Sequence, residues 1–332
     1  MQTVYPQIVT SADMLKSTIQ LEQLIEKLKK NNTKVAAITN SMLYGVLPFL
    51  HTLIKNDIQP VIGLTIKVQL DNGPVSLVVY AENNKGYENI LKISSAMETR
   101  ELDLLPKKWL SAYREGLIAV YKADSLLSKD NLIELMAIFK PSCLFIGIER
   151  PSGKPTEVED FVRETAEELD IALTVYHECR YVDKEDAFAF EVLHAMDQSV
   201  KMTDFQRKKP KPDAHVLSYE EWNEWFADVP EWISNTKTML ERCMVVFDKK
   251  KHIMPKYPLP VDVNAKDYLV SLCKEGLKER VPLYTQAYLD RLQYEIDVIS
   301  QMQYEDYFLI VQDFMKYAKR SNILTGPGRG SS

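Results

Sequence analysis

The residues with the clearest chemical potential stand together in the run GPGRGSS at positions 326–332. Backbone N–H groups of a glycine-rich turn can converge on a phosphate group because no Cβ atom blocks the approach. Arg329 adds a permanent positive charge with forked donors, and Ser331 or Ser332 adds a hydroxyl donor. The run has neither the ending of a Walker A loop nor the spacing of a GxGxxG loop. It predicts contacts to the triphosphate of a nucleotide, with an ordinary turn as the alternative.

Length and charge limit the classes of protein that the chain can belong to. Its 332 residues exceed one typical domain of about 100–200 residues, so we expect two domains. The 41 basic and 47 acidic residues give a net charge of −6, whereas a domain that mainly grips nucleic-acid phosphates is usually basic. Two basic runs, at 206–212 and 248–252, are interpreted as solvated linkers. No apolar segment approaches the ~18 residues of a membrane span, and the N-terminus lacks signal-peptide features, so we expect a cytoplasmic protein.

The first 180 residues alternate between short β-branched runs and amphipathic helices. The runs predicted as buried strands are 34–39, 60–68, 75–81, 117–121, 143–149 and 171–176. One helix is predicted to begin at a capping box formed by Ser17 and Gln20 and to end at Asn31. Another follows Pro155, with one face made of Val158, Phe161, Val162 and Leu169. This alternation predicts an α/β domain with a largely parallel sheet, open or closed into a barrel.

Strand signals fade after about residue 200, and from residue 265 onward the pattern is helical. Two apolar faces have helical spacing: Leu289, Leu292, Ile296 and Ile299, and then Phe308, Val311, Met315 and Ala318. We therefore expect a domain boundary near residues 235–260.

Residues 288–332 closely resemble the start of the palm domain in bacterial replicative DNA polymerase III alpha subunits. That family carries a helix ending in a YFLIV-D run and then GPGRGS, which match here at 307–311, Asp313 and 326–331. The resemblance implies that the incoming nucleotide's triphosphate is contacted by Gly328, Arg329, Gly330 and Ser331. The aspartates that hold two Mg²⁺ ions in these polymerases are expected beyond Ser332, in a PDxDxDF type motif. These 332 residues alone are therefore expected not to polymerise DNA.

Four stretches resemble the polymerase and histidinol phosphatase (PHP) domain that opens these polymerases: 36–49, 58–68, 83–95 and 181–193. The resemblance implies a distorted (β/α)7 barrel over residues 1–240. A linker and a mainly helical start of the palm would follow over residues 241–332. In metal-binding PHP domains, His, Asp and Glu ligands at the C-terminal mouth of the barrel hold a metal cluster, which some members use for 3′–5′ exonuclease chemistry.

The resemblance also shows that most ligand positions of the PHP cluster are degenerate in this sequence. Those positions align with Tyr5, Gln7, Val9, Lys16, Asn40, Ser41, Thr65, Glu178 and Arg180. Only Glu178 keeps a ligating group, and Arg180 places a fixed positive charge where a metal would sit. We expect no metal in the PHP domain, and we hypothesise that Arg180 pairs with Glu178 or Asp13 and fills the pocket.

The remaining histidines and cysteines form no metal-ligand pattern. We interpret four histidines as surface or satisfied core residues: His51, His194, His215 and His252. His177 could join Glu178 and Cys179 in a residual site, although neighbouring side chains on a strand point to opposite faces. The four cysteines, which include no CxxC pair, are interpreted as reduced thiols: Cys143, Cys179, Cys243 and Cys273.

Three functions are compatible with these observations. The favoured one is the N-terminal part of a DNA-directed DNA polymerase of the replisome, with an inactive PHP domain as a scaffold. That nucleotidyltransferase would use Mg²⁺, primer-template DNA and dNTPs, and would contact the sliding clamp and its loader through regions not present here. The alternatives are a metal-dependent phosphoesterase or 3′–5′ exonuclease of the PHP type, and a non-catalytic interaction module. We expect no membrane partner.

Overall fold

The structure is a computed structural model that describes residues 3–100, 103–123, 127–204, 206–247 and 254–326. The chain forms two compact units, Met1–Phe247 and Asp248–Ser332. The predicted boundary at 240/241 stays a prediction. The basic run at 248–252, with His252, lies outside the described residues. No described helix has the length and apolar character that crossing a membrane requires.

A mixed sheet forms the centre of the first unit. Its described strands are β1 (Val4–Ile8), β2 (Val35–Ile38), β3 (Gln59–Leu70), β4 (Gly73–Ala81), β5 (Leu105–Pro106), β6 (Leu117–Ala123), β7 (Leu144–Ile148), β8 (Leu173–Val175) and β9 (Glu178–Cys179). Their order is β8-β7-β6-β4-β3-β2-β1-β9, and β5 pairs with β3. β4 is antiparallel to β3 and β6, whereas the other pairs are parallel. The predicted, largely parallel α/β sheet is confirmed.

The sheet curls toward a barrel because its two edge strands are almost consecutive in the chain. Only Tyr176 and His177 separate β8 from β9, yet these strands stand at opposite ends of the sheet order. Three consecutive Cα–Cα steps cover about 11 Å at most, so the two edges must approach each other. The barrel-like architecture that the sequence implied is confirmed.

Nine described helices belong to the first unit: α1 (Leu21–Lys30), α2 (Val46–Lys55), α3 (Asn84–Thr99), α4 (Lys107–Ala112), α5 (Lys129–Ile138), α6 (Glu159–Leu169), α7 (Ala187–Asp197), α8 (Tyr219–Trp225) and α9 (Pro230–Glu241). They bury apolar stripes at helical spacing, as Leu24 and Leu28 of α1 show. The predicted end of α1 at Asn31 is confirmed. The predicted inner face of α6 is wrong in one residue, since Val162 is fully buried but Phe161 is 51% exposed.

The predicted capping box at the start of α1 is wrong. The helix begins at Leu21, and the preceding Gln20 makes no side-chain cap. The Ser17 hydroxyl instead lies 2.5 Å from the carbonyl oxygen of Val9 and 2.8 Å from that of Arg180. It therefore joins the end of β1 to the segment after β9, a tertiary contact that replaces the local one.

The second unit contains α10 (Ala265–Arg280), α11 (Gln286–Gln301) and α12 (Glu305–Arg320). The predicted helical character is confirmed. Within the described part of this unit, the buried apolar side chains are Leu269, Ile296 and Leu309. The helical spacing of the second apolar face is confirmed by α12, although Phe308 and Met315 of that face are exposed and Leu309 is the buried residue.

Candidate ligand site at the mouth of the barrel

The end of the barrel at which the parallel strands finish contains a cavity of about 610 Å³. Strand ends form one part of its wall, through Val9 after β1, Thr39 after β2 and Glu149 after β7. Residues 208–214 form another part. Ligands of α/β folds bind at the carboxyl ends of parallel strands, so this cavity is the candidate functional site.

The structure brings together six of the nine degenerate metal-site positions. These six line the cavity: Val9, Lys16, Ser41, Thr65, Glu178 and Arg180. The other three, which do not line it, are Tyr5, Gln7 and Asn40. The Tyr5 hydroxyl donates to the Leu217 carbonyl oxygen at 2.5 Å, and Asn40 donates to the carbonyl oxygen of Tyr44 at 2.8 Å. Both side chains are thus occupied in packing and turn formation away from the cavity.

Arg180 forms the ion pair with Glu178 that the sequence suggested. Its Nε lies 2.6 Å from Glu178 Oε1, and its Nη1 donates to the Lys16 carbonyl oxygen at 2.7 Å. Asp13, the other suggested partner, instead accepts hydrogen bonds from the Ser41 amide at 2.6 Å and the Ser41 hydroxyl at 2.9 Å. Arg180 therefore links the end of β9 to the turn that follows its neighbour β1, at the mouth of the barrel.

Three further ion pairs lie at the mouth. Lys16 Nζ lies 2.7 Å from Asp197 at the end of α7. Glu149 is shared by two lysines, Lys122 from β6 and Lys211 from the segment after α7. Positive side chains therefore neutralise carboxylates that could otherwise hold a metal ion.

The donor set does not fit a metal cluster. In the part of the chain that the structure describes, no group of three or more His, Cys, Asp or Glu side chains could hold a metal ion. Ammonium and guanidinium groups have no lone pair to offer a metal, and six such groups line the cavity: Lys16, Lys67, Arg180, Lys208, Lys209 and Lys211. A divalent cation would meet positive charge on several sides.

The basic run at 206–212 is irregular and its three lysines are exposed, as a solvated segment would be, but two of its side chains also hold it to the barrel. The Arg207 side chain is only 7% exposed and pairs with Glu191, while Lys211 pairs with Glu149. Lys208, Lys209 and Lys211 line the cavity. The sequence analysis missed Glu149 as a site residue, although a carboxylate directly after a buried parallel strand is a signal for the mouth of a barrel.

Two buried histidines pack beside the cavity. His177 Nε2 lies 2.9 Å from the His215 carbonyl oxygen, and its ring meets Trp225 edge to face at 5.8 Å. His215 Nε2 lies 3.2 Å from Glu221 Oε1. Burial lowers the pKa of both imidazoles below the ordinary value of 6.5. Both rings are therefore neutral at pH 7. His215 is a core residue, but the interpretation of His215 and His194 as satisfied is wrong, because His215 Nδ1 and His194 Nε2 are buried without a hydrogen-bond partner among the described residues.

Cys179 takes no part in the cavity wall, although its neighbours His177 and Glu178 do. The cysteine is fully buried. Burial, together with the nearby charge of Glu178, strongly raises the pKa of its thiol. A thiol that stays protonated is a poor metal ligand, because the thiolate is the ligating form.

The first unit is expected to lose stability as the pH falls below about 6.5. The unfolded chain binds protons at His177 and His215 near pH 6.5, whereas the folded chain binds them only at lower pH. Stability that is present at pH 7.5 is therefore lost toward pH 5. Melting curves at pH 7.5, 6.5 and 5.5 measure the effect, and His177→Gln should flatten the slope while the exposed-site control His51→Gln should not. An unchanged slope in His177→Gln would contradict the assignment.

The glycine loop cannot be placed at any site. Gly328, Arg329, Gly330 and Ser331 lie outside the described residues. The matching YFLIV-D run lies within α12, which ends at Arg320.

The curled α/β sheet, with helices outside it and a polar cavity at its mouth, defines a PHP-type barrel, and the model of the PHP domain family matches residues 8–172. The model of the bacterial DNA polymerase III alpha NTPase domain matches residues 267–332. The chain is 33% identical over 348 aligned residues to DNA polymerase III subunit alpha of Bacillus subtilis, covering 100% of this chain and 31% of that protein. It is 31% identical over 327 residues to the same subunit of Staphylococcus epidermidis, covering 98% of this chain and 29% of that protein.

The chain is a homologue of the DNA polymerase III alpha subunits along its full length and contains the PHP domain of that family. The resemblance stated from the sequence is confirmed. The chain spans about 31% of the length of the Bacillus subtilis relative. A solved structure assigned as a metal-dependent phosphoesterase, from Bifidobacterium adolescentis, is similar at 9% identity and a TM-score of 0.40, covering 68% of this chain and 96% of the other.

Proposed function

We propose that the chain is the PHP-bearing part of a cytoplasmic DNA polymerase III alpha subunit that synthesises DNA in chromosomal replication. The names of the homologues and the order of the two matched domains support this proposal. Its substrates would be primer-template DNA and dNTPs, with Mg²⁺ held by palm carboxylates outside these residues, and its partners would be replisome proteins. Residues 1–332 alone would not catalyse polymerisation.

Within that protein, the PHP barrel would act as a metal-free scaffold. The observation that carries this part of the proposal is the Arg180–Glu178 ion pair at the mouth, with Nε and Oε1 2.6 Å apart. It occupies the one degenerate position that keeps a carboxylate. The ion pair also links β9 to the Lys16 turn, so it stabilises the mouth without a metal.

Divalent metals are expected to leave the thermal stability of the barrel unchanged. A ligand present at 100 times its Kd adds about 2.7 kcal/mol to the stability of the native state. If no metal binds, 1 mM Mn²⁺ or Zn²⁺ and 1 mM EDTA should give the same melting temperature, and 3′-labelled single-stranded DNA should stay intact. A rise of several degrees with Mn²⁺, or metal-dependent release of the 3′ nucleotide, would favour the exonuclease alternative instead.

Arg329→Ala is expected to reduce primer extension by a complete polymerase that contains these residues, by about 100-fold in kcat/KM for dNTP. The arginine would lose its contact with the triphosphate. Single-turnover primer extension measures the effect, and Lys319→Ala, an exposed cation in the last turn of α12, serves as the matched control. Equal activity in the Arg329 and Lys319 variants would refute a role in nucleotide binding.

A further inference from the structure

The residues that follow α9 stay attached to the barrel although they belong to no helix or strand. We call residues 242–247 the clamp segment. At its start, Arg242 Nη2 lies 2.5 Å from Oε1 of Glu82, the residue that directly follows β4. Two positions further on, the Met244 amide donates to the Glu82 carbonyl oxygen at 3.0 Å. The first half of the clamp segment is therefore fixed to the end of β4.

Asn84, the first residue of α3, contacts the second half of the clamp segment as a peptide group would. Its Nδ2 donates to the Val246 carbonyl oxygen at 2.9 Å, and its Oδ1 accepts from the Val246 amide at 2.8 Å. A carboxamide carries the same donor and acceptor as a peptide unit, so this pair repeats the two-point contact of a β-ladder. The N-cap of α3 is Asn83, which accepts from the Gly86 amide at 3.1 Å. The helix therefore does not need the Asn84 side chain for its own capping.

Burial alternates along the clamp segment. Cys243 is buried, and Val245 and Phe247 are half-buried. Between them, Met244 is 62% exposed and Val246 is 64% exposed. Segments with few buried apolar contacts and solvent-exposed hydrogen bonds open locally at a lower free energy than the whole domain. The clamp segment can therefore be released without unfolding of the barrel.

We propose that the clamp segment is a releasable device that sets the reach of the connection to the second unit, and that Asn84 keeps it closed. Residues 242–253 separate α9 from residue 254, where the described part of the second unit begins. Closing the clamp segment takes its residues out of this connection and shortens the maximum reach by about 20 Å. A longer connection lowers the effective concentration of each unit at the other. The proposal does not depend on the polymerase assignment.

Thiol labelling of the 332-residue chain in native buffer tests the proposal, because the buried Cys243 lies within the clamp segment. With N-ethylmaleimide and peptide mass spectrometry, we expect Asn84→Ala to speed modification of Cys243 by about tenfold, since two hydrogen bonds are lost. Asn223→Ala is the matched control, because Asn223 of α8 also donates to a carbonyl oxygen, that of Tyr219, at 2.7 Å. The control should label Cys243 at the rate of the unaltered chain. An unchanged rate in Asn84→Ala overturns the proposal.

Cys179 separates release of the clamp segment from opening of the whole barrel. This cysteine is fully buried in β9, so its labelling reports unfolding of the sheet. Its modification should stay slow in Asn84→Ala, and the melting temperature should stay that of the unaltered chain. Equal acceleration at Cys179 and Cys243 would show that the clamp segment does not open on its own, and would overturn the proposal.

Limited trypsin digestion examines the reach of the connection, through the three lysines at positions 249–251. Asn84→Ala should raise the initial rate of cutting there by about threefold or more, because release of the clamp segment gives the protease a longer accessible chain. Asn223→Ala should be cut at these lysines at the rate of the unaltered chain. Equal rates in the two variants would overturn the link between the clamp segment and the connection.

Discussion

Arg150→Met is expected to lower the free energy of unfolding of the first unit by about 3–5 kcal/mol. Arg150 follows β7 and is only 3% exposed. Its guanidinium donates to Glu159 at 2.8 and 3.0 Å and to Asp228 at 2.5 and 2.8 Å. It also lies 5.2 Å from the centre of the Trp232 ring. Methionine keeps much of the apolar stem but leaves the buried Glu159 carboxylate without its main partner, and breaking a buried pair costs far more than the pair itself contributes.

Urea unfolding followed by tryptophan fluorescence measures this loss selectively. All four tryptophans, at 109, 222, 225 and 232, belong to the first unit, so the signal reports that unit alone. Arg163→Met is the matched control, because Arg163 contacts the same Glu159 at 2.7 Å but is 40% exposed. The control should cost less than about 1 kcal/mol. Similar losses of unfolding free energy in both variants would contradict the argument that burial makes the Arg150 ion pairs costly to break.

Trp222→Ala is expected to cost a comparable amount, about 3–5 kcal/mol. Trp222 of α8 is 1% exposed and packs against two other rings, Tyr5 of β1 at 5.7 Å and Phe226 at 5.5 Å. Truncation removes this apolar contact and leaves a cavity that rigid strands cannot close. The contact that is lost joins α8 to β1, which lies between β2 and β9 in the sheet.

The same denaturation experiment measures the effect, with the three remaining tryptophans as reporters. Trp109→Ala is the control of equal side-chain size. Trp109 of α4 is half-buried and has Arg100 4.5 Å above its ring. Trp109→Ala should lower the free energy of unfolding clearly less than Trp222→Ala does, because less of the Trp109 surface is buried on folding. A loss of unfolding free energy below about 1 kcal/mol for Trp222→Ala would contradict the prediction, because it would mean that neighbouring residues fill the cavity.

Six strands follow directly from apolar, β-branched runs in the sequence, because strands of a sheet that is covered by helices are rich in such residues. β1 is not among them, since Pro6 and Gln7 interrupt its apolar run. Proline is unusual inside a sheet because it donates no ladder hydrogen bond. Here the pairing of β1 with β2 is irregular between Tyr5 and Ile8, where Pro6 lies. Local sequence gives no warning that such an interrupted segment will stand between two parallel neighbours.

Family motifs in the sequence indicated which positions had lost metal ligands, but motifs could not show where those side chains now go. The Tyr5 hydroxyl donates to the Leu217 carbonyl oxygen. Asp13 accepts a hydrogen bond from Ser41, and Arg180 pairs with Glu178. Residues 206–214 are a second example of side chains whose position the sequence could not show. The composition of this segment is that of a linker, and only the structure shows its lysines on the wall of the cavity.

The sequence by itself determined six of the nine described strands, the helical character of the C-terminal segment from residue 265 and the relationship to the polymerase subunits. These depend on local periodicity and on motifs, which are properties of neighbouring residues. The tertiary structure alone decided the pairing of charges at the mouth. Lys211 meets Glu149 across 62 positions, and Lys16 meets Asp197 across 181. Such partners become neighbours only when the sheet curls and brings its edges together, and no local pattern of residues records that closure.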